Sequence, residues 1–330
     1  MTNNMRFPPW AIWAMLLGLA GFVVLIVANV RQNRGVKRSL FAYPYTLWMV
    51  VFTVIPLLLI GYYAFTDRAG QFTLDNFRTF WDSNFEMNKQ LAELGFDPAV
   101  LGSARGTVNV DTLIYSLWMA FLCTVICLFI GYPAALFMAD RQFKLGPTLV
   151  VLFVIPMWMN FLLRTIAWMS LLEDNGLINA ILAALGLPRM QLMYNSQAVL
   201  LGMVYNYLPF MVFPIYNALN KQDGRLSEAA MDLGASPLLT FWRVTMPLSL
   251  PGVISGITMV FMPSVTTFFI PRVLGGGNTE MFGDLIERTF LSADNWNVGS
   301  ALSLLMMILI LMSLTLLRKV DPEGEGGSTI

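Results

Sequence analysis

The sequence contains no histidine, only two cysteines and few charged residues. The absence of histidine excludes Ser-His-Asp catalysis and every metal site that depends on imidazole. Cys123 and Cys127 lie one helical turn apart inside an apolar run. A buried thiol behaves as a small apolar side chain, so we expect both cysteines to pack rather than to react. We therefore predict no catalytic residue and no metal site.

The sequence also lacks a phosphate-binding P-loop, because a Gly-Lys pair occurs nowhere in it. Lys plus Arg equals Asp plus Glu, at 20 each, and this balance gives no reason to expect a nucleic acid partner. We predict that the chain is not an enzyme and binds no cofactor. If it takes part in active transport, a partner subunit must hydrolyse the ATP.

Apolar residues dominate the composition: 57% of the 330 residues are hydrophobic and 12% are charged, whereas soluble domains have about a quarter of charged residues. A membrane-spanning helix needs about 20 apolar residues. Seven stretches meet this requirement: 10–30, 44–65, 112–139, 148–172, 197–218, 252–271 and 298–317. The sequence therefore predicts an all-α, polytopic membrane protein in contact with the lipid bilayer.

The first apolar stretch has two interpretations, a signal peptide or a membrane helix. Only Arg6 precedes it, it is too long for a signal peptide, and no small-x-small cleavage site follows it. Four basic residues follow within 31–38, and such residues stay on the cytoplasmic side. We predict that residues 1–38 form an extra N-terminal membrane helix with a basic cytoplasmic loop, preceding a core at 39–317.

The remaining spans give a topology that the basic residues support. Segments 31–38, 140–147, 219–250 and 318–330 hold 11 Lys and Arg in 61 residues, and segments 66–110, 173–196 and 273–296 hold 6 in 93. The first set is therefore predicted to be cytoplasmic, with the C-terminus inside and a disordered tail at 318–330. The external loop 66–110 is either a solvated connection or a contact surface for an external partner.

The connection 219–250 contains strong helix signals. Ser227 is a good N-cap, and Glu228 places negative charge at the start of a helix. Gly234 suits the left-handed residue that ends a helix, and Ser236-Pro237 begins another. Pro247 and Pro251 are predicted to end that second helix. The pattern predicts two short helices at a sharp angle between membrane spans.

The spacing in this connection resembles the EAA loop of ABC importer permeases: Glu228-Ala229-Ala230, then Gly234, Val244 and Met246-Pro247. The usual pattern has Ile and Leu where Val244 and Met246 stand. The resemblance implies a coupling helix that docks into a cytoplasmic ATPase, with a six-helix type I importer core. The coupling residues would be Glu228, Ala229, Ala230, Asp232, Gly234 and Pro247. The alternative is an amphipathic linker without this role.

Polar side chains at membrane depth are candidates for a solute pathway, because burying them is costly. Each has a structural alternative. Arg164 can stack on Trp168 or reach toward the outer surface. Tyr205–Tyr207 lie in a helix that proline bends, and the Thr hydroxyls can form hydrogen bonds to carbonyls of their own helix. Glu173 and Asp174 give a weaker signal of a cation-attracting mouth. The pathway candidates are Trp158, Asn160, Arg164, Trp168, Tyr205, Asn206, Tyr207, Thr266 and Thr267.

Further stretches resemble the spermidine/putrescine permease branch of this family. They are PMWMN at 156–160, LRTIAW at 163–168, NGLIN at 175–179, FL at 290–291, NW at 295–296 and GSALS at 299–303. The branch implies a bacterial plasma (inner) membrane protein with three kinds of partner. These are a second homologous permease, a cytoplasmic ABC ATPase dimer and an extracytoplasmic solute-binding protein.

Other functions stay open from the residues alone. A polyamine is a polycation, yet the spans contain no deeply placed acid and Arg164 would repel it. Related branches carry iron complexes, opines or phosphonates. An ion-driven carrier needs intramembrane Asp or Glu, and their absence here argues against it. A non-transporting membrane scaffold is excluded only by the resemblance.

Overall fold

The computed structural model describes residues 42–85, 88, 108–140 and 143–320, and its regular structure is helical apart from a bridge between Thr66 and Phe72. In chain order the helices are α1 Ala42–Met49, α2 Ile55–Ala64, α3 Asp75–Trp81, α4 Val108–Ala139, α5 Gly146–Val154, α6 Phe161–Leu172, α7 Leu177–Ala184, α8 Ser196–Asn220, α9 Gly224–Asp232, α10 Pro237–Thr240, α11 Met246–Thr266, α12 Phe269–Gly275, α13 Phe282–Leu291 and α14 Trp296–Val320. Two π-helical segments, Val50–Val54 and Phe241–Thr245, join α1 to α2 and α10 to α11.

The described residues contain five helical stretches that are long and apolar enough to cross a membrane, and six if one bent pair counts as a span. The five are Tyr45–Ala64, Val108–Ala139, Ser196–Asn220, Pro237–Thr266 and Trp296–Thr315. These and the bent pair correspond to six of the seven predicted spans, which confirms the all-α, polytopic fold. The predicted helix at 10–30, with the whole of 1–38, lies outside the described residues.

The predicted span at 148–172 is broken rather than continuous. Gly146–Trp158 and Phe161–Ala184 meet at an angle of 94°. Pro156 has no N–H to donate, and Asn160 caps a new helix, because its Oδ1 accepts a hydrogen bond from Leu162 N at 2.8 Å. The apolar run predicted a span here, and it gave no signal of the break within it.

The expectation that Pro247 and Pro251 end a short helix was also wrong. The helical stretch runs from Pro237 to Thr266, with the π-helical segment directly before α11. There Met246 N donates to Phe241 O, five residues back. The wider turn relieves the clash between a proline ring and the preceding turn. The π-helical segment therefore accommodates Pro247, and Pro251 lies inside α11.

The core lies where α4, α8 and α11 pack together. Gly252 and Gly256 of α11 face α8, and a Cβ atom on Gly252 would lie 2.7 Å from the Pro214 carbonyl oxygen. Small residues of this kind let membrane helices approach closely. Cys123 and Cys127 are fully buried in α4, as expected for packing residues.

The predicted external loop folds back onto the end of α2. Asn76 Nδ2 donates to the carbonyl oxygens of Ala64 at 3.0 Å and Thr66 at 2.8 Å. Asn297 Nδ2, from the start of α14, donates to Thr66 O at 2.6 Å. These amides satisfy carbonyls left free at the helix end. Residues 66–85 are therefore packed against the bundle, and most of 86–107 lies outside the described residues.

The C-terminal helix extends further than expected. Helix α14 ends at Val320, so 318–320 of the predicted disordered tail are helical. Residues 321–330 lie outside the described part of the chain.

Candidate coupling surface and membrane pathway

Helix α9 begins before the predicted N-cap. Asp223 caps it, with Oδ1 accepting a hydrogen bond from Arg225 N at 3.1 Å. Ser227 therefore lies inside the helix, and its assignment as the cap was wrong because Asp223, four residues earlier, already supplies a suitable oxygen. Glu228, Ala229, Ala230 and Asp232 all lie on α9, as the sequence indicated.

The turn after α9 agrees with the expectation. Gly234 has φ +88°, a left-handed conformation in which a side chain would be strained. Ala235 N donates to Ala230 O at 3.1 Å, which satisfies a carbonyl at the end of the helix. Ser236 Oγ then accepts a hydrogen bond from Leu239 N at 3.3 Å, and Pro237 is the first residue of α10.

The α9–α10 region presents apolar side chains to its surroundings. Leu233 is 90% exposed, Leu238 69% and Trp242 56%. Glu228 and Asp232 are also exposed. Contiguous apolar groups with acidic residues beside them are typical of a protein interaction site. We call the exposed side chains of 226–242 the coupling surface.

This surface is attached to the long helix that follows it. Gln222 Nε2, just before α9, donates to Thr245 O at 3.2 Å. Helix α9 also packs against α10 and the π-helical segment. Pro247 is exposed at the beginning of α11. Helix α9 is therefore in direct contact with the beginning of the Pro237–Thr266 span.

The pathway candidates divide by exposure. Trp158 and Asn160 lie at the break between α5 and α6, and Trp158 is 87% exposed. Tyr205 is 38% exposed on α8 and borders an apolar cavity of about 400 Å³ between α4, α5 and α8. The Trp168 ring, on α6, lies 5.2 Å from the Tyr205 ring in an edge-on contact. We call the partly exposed rings of Trp168 and Tyr205 the aromatic surface.

Arg164 lies on the buried side of α6. It is only 7% exposed, and its Nε and Nη1 atoms are buried without a hydrogen-bond partner. Within the described residues its guanidinium forms no cation–π contact, and Trp168 pairs with Tyr205 instead. The two side chains share a helix, as predicted, but they do not stack.

The remaining candidates face the protein interior, apart from Thr266. Asn206 Nδ2 donates to Gly202 O at 2.8 Å, and the buried Tyr207 hydroxyl donates to Pro263 O at 3.3 Å. Thr267 is buried. Thr266 is exposed, and its hydroxyl donates to Met262 O at 3.3 Å. The structure therefore does not bring all nine candidates onto one surface.

A cluster of ion pairs, which we call the α12–α13 joint, connects these two helices and was not predicted from the sequence. The Arg272 guanidinium binds Asp284, with Nη2 2.8 Å from Oδ1, and Glu287, with Nη1 2.7 Å from Oε1. Arg288 lies 3.1 Å from Glu280. Burial raises the pKa of both Asp284 and Glu280 despite these arginines. The i, i+3 spacing of Asp284 and Glu287 was the available signal.

The family comparison agrees with this architecture. Residues 26–322 match the family described as the binding-protein-dependent transport system inner membrane component. The chain therefore belongs to this family of multi-pass inner membrane permeases.

Individual relatives extend the comparison. The chain is 34% identical over 271 residues to the spermidine/putrescine transport system permease protein PotB of Escherichia coli, covering 80% of this chain and 90% of PotB. It is 29% identical over 197 residues to the molybdenum transport system permease protein ModB of Mycobacterium bovis, covering 59% and 74%. A solved bacterial ABC transporter involved in alginate import has the same fold, with TM-score 0.68, 15% identity and coverage of 88% and 99%.

Proposed function

We propose that this chain is the permease subunit of an ATP-driven importer of polyamines such as spermidine and putrescine. The observation that carries the substrate class is the 34% identity to PotB, which extends over most of both chains. The lower identity and coverage with the molybdenum permease favour a polyamine over an oxyanion.

The coupling surface is proposed to receive the ATPase. Helix α9 has no buried residue and presents Leu226 and Met231 outward, and the exposed Leu233 follows it. Leu226 and Leu233 are seven residues apart and so lie on one face of this segment, and exposed leucines in this arrangement suit a groove on a partner protein. Its attachment to Pro237–Thr266 provides a rigid connection by which ATPase closure moves a membrane span.

Three partners complete this proposed importer. They are a cytoplasmic ABC ATPase dimer, a second homologous permease and an extracytoplasmic solute-binding protein. ATP is hydrolysed by the ATPase, and this chain binds no cofactor. The C-terminus is cytoplasmic, since the basic residues favour that side and the same topology places α9 inside.

The aromatic surface is the proposed contact for the solute. Trp168 and Tyr205 offer π faces that attract ammonium groups, and Trp158 is a further exposed ring at the break between α5 and α6. Arg164, Asn206, Tyr207 and Thr267 are buried, so we assign them to shaping the pathway rather than lining it. Asn160 and Thr266 remain exposed candidates for polar contacts.

Purification and transport assays test the proposal. The chain is purified from its native membrane in mild detergent, and its partners are identified by mass spectrometry. The recovered complex is reconstituted in vesicles, and ATP-dependent uptake of labelled spermidine is measured. Recovery of an ATPase with spermidine uptake supports the proposal. If the complex took up molybdate but not spermidine, the substrate class would be an oxyanion instead of a polyamine. If the chain were recovered without any ATPase, a membrane scaffold would be favoured.

A further inference from the structure

The short helices α12 and α13 follow each other in the chain but pack on different parts of the bundle. Helix α12 lies against α6 and α8, which carry the aromatic surface. Helix α13 lies against α14 and α4. The connection between them contains Gly276 and Gly277, both with positive φ, so the chain turns sharply there.

Backbone hydrogen bonds attach each helix to its own neighbours. Leu274 O, in α12, accepts a bond from Tyr194 N at 2.9 Å, next to the start of α8. Phe282 N, at the start of α13, donates to the buried Ser116 Oγ of α4 at 2.7 Å. Each helix is thus anchored to a different neighbour, and the two helices also contact each other directly.

Arg272 adds a charged link between α12 and α13. Its Nε lies 3.1 Å from Asp284 Oδ1 and its Nη2 2.8 Å from the same oxygen, and both terminal nitrogens also bind the Glu287 carboxylate. One planar guanidinium therefore holds two carboxylates on neighbouring positions of α13. This geometry fixes direction as well as distance, which a lysine would not do.

We propose that Arg272 is a positioning residue for transport, a strut that keeps α12 and α13 together throughout the transport cycle and so holds α12 against the pathway helices α6 and α8. The proposal rests on the proposed function as a polyamine importer. Arg272 acts through α12 and not by touching the solute.

A purely stabilising role explains the ion pairs less well. The Arg272 side chain is 43% exposed, and ion pairs in contact with solvent contribute little to stability. Burial also raises the pKa of Asp284 in spite of Arg272 and Arg288, so ionising this carboxyl group in the folded protein costs free energy. Ion pairs of this kind are better explained by the geometry that they impose.

The first test is uptake by the reconstituted complex carrying Arg272→Gln. We expect the maximal rate of spermidine uptake to fall strongly, with the half-saturating concentration unchanged, because the solute site is intact. Arg288→Gln is the matched control. This substitution removes the ion pair between Arg288 of α13 and Glu280, which lies just before α13. The variant should take up spermidine at the native rate.

Charge exchange separates positioning from folding. The test begins with Asp284→Asn, so that the Asp284 carboxylate cannot repel a glutamate placed at position 272. In this background Arg272→Glu should abolish uptake. Adding Glu287→Arg restores an ion pair of reversed polarity and should recover most of the rate. Absence of recovery, with the complex formed in normal amount, would overturn the proposal.

Cross-linking tests whether the joint stays closed. Arg272→Cys with Glu287→Cys is linked by a short bifunctional thiol reagent, while the native cysteines are buried. Before linking, the double variant lacks the ion pair and should take up little spermidine. A persistent strut predicts that the link restores uptake, and uptake that stays low in the linked complex would overturn the proposal. If the native complex takes up no spermidine, the proposed function fails instead.

Discussion

Helix α9 and the contact between α8 and α11 adjoin each other in the chain, yet they are built in opposite ways. Helix α9 buries none of its residues, and the Leu233 that follows it is 90% exposed. At the α8–α11 contact, Gly256 lies so close to α8 that a Cβ atom there would be 2.8 Å from the Met211 sulfur. One region is exposed surface, and the other is closely packed.

Because one region is exposed and the other is packed, transport can be lost in two ways, by loss of coupling or by loss of the fold. A substitution on α9 should leave the bundle unchanged, because no packing depends on its outward side chains. A larger residue in the α8–α11 contact should disturb the fold first and transport as a result. Substitutions in the two regions should therefore differ in whether the complex stays folded when uptake is lost.

Glu228→Lys should abolish coupled uptake while the bundle stays folded. Glu228 is exposed on α9, and the substitution reverses the charge on the coupling surface. Charge reversal at a docking site places like charges together and raises the cost of binding. ATP-dependent spermidine uptake and thermal unfolding of the purified complex are the two measurements.

Glu173→Lys is the control for this charge reversal. Glu173 is also exposed, at the end of α6 that is predicted to face outward. It should retain coupling to the ATPase. Normal uptake by Glu228→Lys would remove the coupling role of α9.

Gly252→Ala should destabilise the fold by about 1–3 kcal/mol, the usual effect of overpacking a core. The new Cβ would lie 2.5 Å from Ala218 Cβ and 2.7 Å from Pro214 O, so α8 and α11 must move apart. Unfolding of the purified protein measures the effect. Gly61→Ala is the matched control in another span, where a Cβ meets nothing within 4 Å. Equal stability of the two variants would contradict the packing argument.

The order of spans and the turn at Gly234 were predictable because they depend on local patterns. Apolar runs of sufficient length define helices in a membrane whatever their partners. Gly234 and Ser236-Pro237 determine backbone conformation by their own covalent structure. These signals act over a few residues and need no knowledge of the fold.

The remaining features depend on contacts between distant parts of the chain. The orientation of Arg164 follows from how α6 packs after the break, which hydropathy does not report. The partners of Arg272 lie 12 and 15 residues away, beyond a turn. The expectation for Pro247 was wrong because a π-helical segment directly before it accommodates its ring. Without the packing, residue type alone does not distinguish these outcomes.

Asn297→Ala should lower stability by about 1 kcal/mol, the net contribution of a typical hydrogen bond. The loss is modest because Asn76 still donates to Thr66 O at 2.8 Å. The expected loss of stability at Asn297 is thus larger than for a substitution on α9 and smaller than for one in the α8–α11 contact. Unfolding measurements check it, with the exposed Asn175→Ala as control. A loss as large as that of Gly252→Ala would indicate that Asn297 alone secures the end of α2.

The smallest expected effect is on the pH dependence of stability, at Asp284. Burial is the main cause that raises the pKa of this carboxyl group, opposed by Arg272 and Arg288. The folded protein therefore holds the proton at pH values where the unfolded chain, with an Asp pKa of about 3.9, has released it. Stability should fall as the pH rises through that interval, since the folded state binds more protons there.

Asp284→Asn removes this titration, so its unfolding temperature should depend less steeply on pH over the same interval than that of the native protein. Glu280 titrates in the same direction, and the Asp284 charge is one cause of its raised pKa, so the substitution lessens that contribution as well. Asp232→Asn, on the exposed face of α9, controls for loss of a carboxylate. A steeper dependence in Asp284→Asn would mean that the ionised carboxylate stabilises the fold, and the joint between α12 and α13 would then serve stability rather than position.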